Sequence, residues 1–247
     1  TAGACGLLGV TDKHAISGTG IGGFNDHFRN ALKGEPNGED PGYVQNGTHR
    51  VGVISGIAGS IDDWARQPYE TINYATCHDN LTLWDKLELS CSEPAEQRVR
   101  MHAMAIGILA VSQGVMFLHG GMEMCRTKFG NHNSYNSGDH DNQMRWARKR
   151  EFKRVVAFTR NMIALRRAHP IFRLRSAEEI RRRIHFRDDL LPNPHCIVFT
   201  LDGMGLDNEA WEEVCVLINP CGEELNFYLP DDDEWLIHAH GLTVWHD

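Results

Sequence analysis

The stretch "TINYATCHDNLTLWDKL" (71–87) decides how the rest of the sequence is read. Thr71 to Cys77 is an apolar, strand-like run. It ends abruptly in an imidazole, a carboxylate and a carboxamide, His78, Asp79 and Asn80, before an amphipathic stretch begins. Polar residues at the C-terminal tip of a strand, with a helix to follow, are what a parallel α/β architecture places at its binding face. A helix N-cap supplied by Asp79 or Asn80 is the simpler alternative. It accounts for one residue of the three.

Working outward, "PAEQRVRMHAMAIGILAVSQG" (94–114) predicts a helix with Pro near its first turn and Gly closing it. "VMFLH" (115–119) predicts a second short strand, followed by a long polar loop over 120–146. A loop of that length with no pattern of its own is usually functional or disordered. "EFKRVVAFTRNMIALRRAH" (151–169) carries a helical stripe of Phe152, Val155, Val156, Thr159, Met162, Ile163 and Arg166, stopped by Pro170. Beyond about residue 176 the texture changes. "CIVFTLDG", "EVCVLINP", "LNFYLP" and "WLIHAHG" are strand-like pieces between turn residues, the pattern of a small antiparallel sandwich. Residues 1–50, rich in Gly, Asn and Asp, read as loops around a small element at "GFNDHFRNAL".

Strand–helix alternation implies parallel strands with helices outside, either an open sheet or a (β/α)8 barrel. Two strands cannot close a barrel. The expected fold is therefore α/β: the C-terminal part of a (β/α)8 barrel over 1–175, then an antiparallel β-sandwich domain over 176–247, with the boundary near 170–178.

Composition narrows the function. The 247 residues include 25 Lys and Arg against 33 Asp and Glu, a net charge of -8. Nucleic-acid and anionic-membrane binding need a basic surface and are disfavoured. No apolar run reaches the roughly 18 residues that span a bilayer, and "TAGACGLLGV" lacks the basic start of a signal peptide. The chain does not begin with Met, so it reads as processed or as an internal piece. The seven cysteines (5, 77, 91, 125, 196, 215 and 221) contain no C-x-x-C pair. An odd, scattered set is neither a disulfide framework nor a zinc ribbon, and it leans toward a reducing, cytoplasmic compartment.

Adjacent His78 and Asp79 cannot form a linear relay, because successive side chains diverge. Both can reach a polyhydroxylated ligand, and the Asp can stabilise positive charge at an anomeric carbon. No G-x-S-x-G elbow supplies a serine nucleophile, and no H-x-x-x-H-like pair supports zinc, so no metal is assigned. In the loop, "GNHNSYNSGDHDNQ" (130–143) gathers amides, hydroxyls and carboxylates, with Tyr135 and Trp146 as stacking platforms. Its "DHDN" lacks the EF-hand spacing for calcium, and no cofactor can be read from the chain. Because the loop follows a second strand, it should share a rim with His78 and Asp79, forming a cleft for a hydroxyl-rich ligand.

Three other signals carry less. "GTGIGG" (18–23) matches a nucleotide fingerprint formally, but no strand precedes it and "FNDHF" opens no clear helix. "RRRIHFR" (181–187) reads as a solvated basic face, and the glycosylation patterns at Asn46 and Asn80 as chance.

Taken together, "GIGGFNDHFRNALKG", "GSIDDW", "ETINYATCHDNLTLWDKL", "SQGVMFLHGGMEMCRTKFGNHNSYNSGDHDNQMRW" and "MIALRRAHPIFRL" resemble the type I pullulanases, starch-debranching members of the α-amylase superfamily. The resemblance runs from about residue 18 to about 175. It implies a (β/α)8 barrel with a C-terminal β domain, and retaining hydrolysis of α-1,6 branch linkages in pullulan, glycogen and limit dextrins. By the match of "CHDN" to the family's last catalytic segment, Asp79 is the transition-state-stabilising carboxylate. His78 then hydrogen-bonds the same sugar, and Asn80 lies on the branch-point side. Asp139 matches the acid that binds the next glucose unit, with Asn136 and Asn142 nearby. The resemblance also implies that the nucleophile and general acid precede this chain, since "TAGACGLLG" resembles what directly follows the family's G-E-x-W motif. Glu123 then stands behind the site rather than serving as its acid. On this reading the chain is a fragment, inactive alone. The rival expectations are an isoamylase-like debranching fragment, a non-catalytic glucan-binding module using Asp139 and Tyr135, and a scaffold protein with no glucan affinity.

Overall fold

The computed structural model describes residues 13–231 and 233–245. The "TAGACGLLG" segment, with Cys5, lies outside the described residues, as do the last two residues of "LTVWHD".

Three short parallel strands form the first sheet: β1 (Gly23–Phe24), β2 (Thr71–Asn73) and β3 (Val115–Met116), in that order. Gly23 pairs with Thr71, and Ile72 with Val115. Parallel neighbours need crossovers, and helices provide them. Between β1 and β2 lie α1 (Asp26–Lys33) and α2 (Arg50–Ile57); between β2 and β3 lie α3 (Leu83–Ser90) and α4 (Ala95–Val111). After β3 and its long loop comes α5 (Lys153–Ala168).

Both strands expected from the sequence are present but shorter, three residues of 71–77 and two of 115–119. The small element expected within the loops of 1–50 is a third strand, β1, followed by α1, and α2 begins where that segment ends. "FNDHF" does open a helix, because Asn25 caps it by accepting from the Phe28 amide at 3.2 Å. The strand follows the glycine run of 18–23 rather than preceding it, an order that does not fit a nucleotide fingerprint. Gly56 on α2 sits where a Cβ would strike the Phe28 ring, so glycine sets the α1–α2 approach.

Buried amides lock the sheet. Asn25 donates to the Ser60 hydroxyl and the Asn73 side chain, both at 2.9 Å, and Asn73 donates to the Gln113 carbonyl at 2.6 Å. Gln113 in turn donates to the Ile171 carbonyl at 2.9 Å and accepts from the Leu174 amide at 2.8 Å. Buried polar groups satisfied in this way fix register as well as stability. Gly114 turns the chain from α4 into β3 at φ +93°, where a Cβ would also meet the Thr71 hydroxyl.

The helix over 153–168 buries Val155, Phe158, Thr159, Met162, Leu165 and Arg166. The expected stripe is thus rotated: Ile163 is exposed, and Phe158 and Leu165 take the inward places. Arg166 is buried, with no carboxylate partner among the described residues. It donates to the carbonyls of Ala110, Ser112, Phe172 and Gly114, closing the C-terminal end of α4.

The second sheet is antiparallel, β4 (Ile184–Phe186), β5 (Ile197–Asp202) and β6 (Glu213–Ile218), preceded by α6 (Ala177–Arg183). A separate two-stranded ribbon pairs β7 (Ala239–His240) with β8 (Thr243–Val244). This is a smaller assembly than the expected sandwich. "LNFYLP" forms no strand, and Tyr228, Leu236 and Ile237 are exposed. An apolar run becomes a strand only where a neighbouring backbone takes its hydrogen bonds, and no described strand lies beside it. One apolar cluster extends from Phe28 to Val244, so the antiparallel sheet shares a core with the helices. His169 stacks on Trp211 at 3.3 Å and meets the Glu209 carboxylate at 2.7 Å, and Glu209 also accepts from the Ile171 amide. No helix among the described residues is long and apolar enough to cross a membrane.

Candidate functional site

The chain leaves β2 through Tyr74–Thr76, which are buried, and emerges at His78 and Asp79, whose side chains are 81% and 69% exposed. His78 Nε2 lies 3.4 Å from Asp79 Oδ2. Asn80 follows at φ 65°, a left-handed conformation that Asn tolerates better than most residues. Neither Asp79 nor Asn80 caps the next helix. Thr82 does, its hydroxyl accepting from the Asp85 amide at 3.0 Å. The capping alternative for the triplet is therefore corrected: His78 and Asp79 stand free of the helix they precede.

Beneath the turn, three lysine ammonium groups hold backbone carbonyls. Lys33 donates to Leu81 at 2.9 Å, Lys86 to Gly38 and Asp40, and Lys128 to His78 at 2.8 Å. Burial pushes the Lys33 ammonium down to about 7, helped by the positive charge of Arg29. Burial likewise lowers Lys86 and Lys128.

The loop after β3 is bound to this base. Asp85, buried on α3, accepts from the Thr127 hydroxyl and from the Lys128 amide at 2.7 Å. The C-terminal ends of adjacent parallel strands share one rim, and these bonds join the two loops there. Sequence reasoning missed Lys33, Asp85 and Lys128. Their signal was faint: charged residues on otherwise apolar faces, with partners about 40 to 50 positions away.

Farther along, the loop packs on itself. Phe129 stacks on His140 at 4.5 Å, with the Arg145 guanidinium 4.3 Å from the Phe129 ring centre. Asp139 opens a single helical turn, Asp139–Asn142, and is exposed. Hydrogen bonds from His140 and Asn131 hold the Asp141 carboxyl below its usual range. Asn142 spends its amide on the carbonyls of Ser134 and Ser137, at 2.7 and 2.8 Å, which shapes the turn. Asn136 is exposed, and Tyr135 presents its ring with 80% exposure. Trp146 is exposed as well. Glu123 folds back onto its own turn, accepting from the Gly121 amide at 3.0 Å.

The arrangement offers exposed acceptors and donors, two exposed aromatic faces and rigid loop bases. That combination suits a ligand carrying many hydroxyls and apolar ring faces. Residues 131–242 match the family model described as alpha-1,6-glucosidases, pullulanase-type, C-terminal. Over 222 residues the chain is 38% identical to a pullulanase of Bacillus subtilis (strain 168), covering 86% of this chain and 30% of that protein. The fold superimposes on a pullulanase from Bacillus acidopullulyticus with a TM-score of 0.87 and 38% identity, over 94% of this chain and 28% of that one. A pullulanase from Paenibacillus barengoltzii, solved with maltohexaose and alpha-cyclodextrin, matches with a TM-score of 0.77 and 40% identity, over 81% of this chain and 32% of that one. The chain spans less than a third of the length of each of these relatives. It belongs to the pullulanase family, and its residues 131–242 carry that family's C-terminal region.

Proposed function

We propose that the protein is a retaining debranching hydrolase of α-1,6 linkages in pullulan, glycogen or starch limit dextrins, and that this chain supplies part of its glucan site. Residues 1–175 contribute a sector of a (β/α)8 barrel, and 176–247 an accessory β domain. The observation that carries the reading is the junction of the two rim loops, through Asp85 and Lys128, around an exposed His78–Asp79 pair.

In the mechanism, Asp79 binds ring hydroxyls of the sugar being cleaved and stabilises the positive charge that grows at its anomeric carbon. A fixed carboxylate facing developing charge acts mainly in the transition state. His78 hydrogen-bonds the same sugar, Asn80 faces the branch point, and Asp139, with Asn136 and Tyr135, holds the neighbouring glucose unit. Asn142 supports Asp139 by shaping its turn. The nucleophile and general acid, about 5–5.5 Å apart in a retaining enzyme, belong to the rest of the protein. The chain by itself therefore binds glucan without cleaving it.

Calorimetric titration of the chain with maltotetraose tests this. Saturable binding, weakened at least tenfold by Asp139→Ala, is the expected result. No detectable binding, or binding indifferent to both Asp79→Ala and Asp139→Ala, would remove the proposal.

A further inference from the structure

The tip of β2 holds a donor set with one member, Cys77, that glucan binding does not use. Cys77 precedes His78 and Asp79, its thiol is free and partly buried, and the three residues' ligand atoms all lie within 4.8 Å of one another. Two first-row-metal ligands on a tetrahedral ion, each bonded at about 2.0–2.1 Å, sit about 3.3 Å apart. The His78 Nε2 to Asp79 Oδ2 distance is 3.4 Å. A thiolate at about 2.3 Å from the same ion would stand roughly 3.6 Å from the imidazole, which the exposed His78 and Asp79 side chains reach by small rotations.

The backbone under these donors is fixed. Lys128 holds the His78 carbonyl, and the Cys77 thiol points toward the Asp79 carbonyl oxygen at 3.7 Å. Charge fits as well. Once the thiol has given up its proton on binding, thiolate and carboxylate together cancel a dication. Soft sulfur with imidazole selects Zn2+-like ions over Ca2+ or Mg2+, which prefer all-oxygen shells.

We propose that Cys77, His78 and Asp79 form a site for a thiophilic divalent cation such as Zn2+, and that the bound ion blocks the sugar end of the rim. The thiol proton passes to solvent on binding, and three protein donors leave a coordination position open to water. The blocking half rests on the functional reading given above, since it requires His78 and Asp79 to be sugar ligands. The binding half does not. Such an ion would act as an inhibitor rather than a resident cofactor, because it occupies the residues that the glucan needs.

The chain titrated with Co2+ should develop a near-ultraviolet thiolate-to-cobalt absorption, displaced by Zn2+. Cys77→Ser should abolish that band, and His78→Ala should weaken binding at least tenfold. No band, or a band unchanged in both variants, would overturn the site. A second titration measures maltotetraose with and without Zn2+. The ion should raise the apparent Kd, and Cys77→Ser should cancel the effect while leaving maltotetraose affinity intact. Co2+ binding through Cys77 in a chain with no affinity for maltotetraose would overturn the functional reading and the blocking half together. Simultaneous, independent binding of both would overturn the blocking half alone.

Discussion

Lys128 donates to the backbone carbonyl of His78 across 2.8 Å, so a residue of the loop after β3 fixes the backbone that carries the imidazole in the loop after β2. Replacing it by Met keeps the stem and removes the donor. Relief from burying a charge offsets the lost hydrogen bond, so stability should change by less than about 1 kcal/mol. Maltotetraose affinity should nevertheless fall about fivefold, near 1 kcal/mol, as His78 loses its support. Paired melting and calorimetric titrations of Lys128→Met would expose an error in either half.

Asp85 makes the other half of that junction from a buried position on α3. In Asp85→Asn one acceptor becomes an amide donor facing an existing N–H or O–H. Hydrogen bonds to charged acceptors are worth about 1.5–3 kcal/mol, so a loss of about 2 kcal/mol in unfolding free energy is expected. Urea denaturation measures it. A variant as stable as the parent would mean that the loops are joined elsewhere.

Lys33 gives the chain a pH signature. Its folded-state ammonium is lowered from 10.5 to about 7, so the unfolded chain holds more protons between those values. Stability should therefore rise with pH across that window, by up to about 1.4 kcal/mol per pH unit from this group, and its destabilising effect is complete below pH 7. Lys33→Met should flatten the slope between pH 7 and 10. Guanidinium unfolding at three pH values suffices. An unchanged slope would place the titration in another group.

Acid should act through His102. Fully buried on α4, it lies 2.7 Å through Nε2 from the Met122 carbonyl, and burial pushes it down to about 4. Between pH 6.5 and 4 the unfolded state binds the extra proton, so stability falls as pH drops through that range. His119 is lowered to about 4 by burial, then by Arg126, and adds to the trend. His102→Gln should lessen the loss, measured as the change in melting temperature between pH 7 and pH 4.5. The same change in both proteins would count against this assignment.

The parallel strands, the long helices and the polar tip at His78 were legible because apolar periodicity and an abrupt polar triplet are local signals. β1 was not. Two residues beside a glycine run carry no pattern, and its strand exists only because Ile72 offers a parallel partner to Phe24. Helix α2 hid in a Gly-rich segment for the reason that makes it work, Gly56 being the contact with Phe28. The face of α5 is turned toward Phe158 and Leu165, while Arg166, on the expected stripe, is held inward by four carbonyls. The lysines and Asp85 beneath the site were invisible because their partners are remote in sequence. Cys77 gave no metal signal because it has no partner at helical spacing, whereas three consecutive residues converge only at a fixed turn.

We propose that Asp79 serves a debranching reaction whose nucleophile and acid lie in the rest of the protein. Reducing-sugar release from pullulan tests it most directly, measured on the 247-residue chain, on a version extended upstream, and on that version carrying Asp79→Asn. The expected result is no release by the short chain, turnover by the extended form, and a loss of about a hundredfold or more in the folded variant. Turnover by the short chain alone, or near-normal turnover with Asn at position 79, would contradict it.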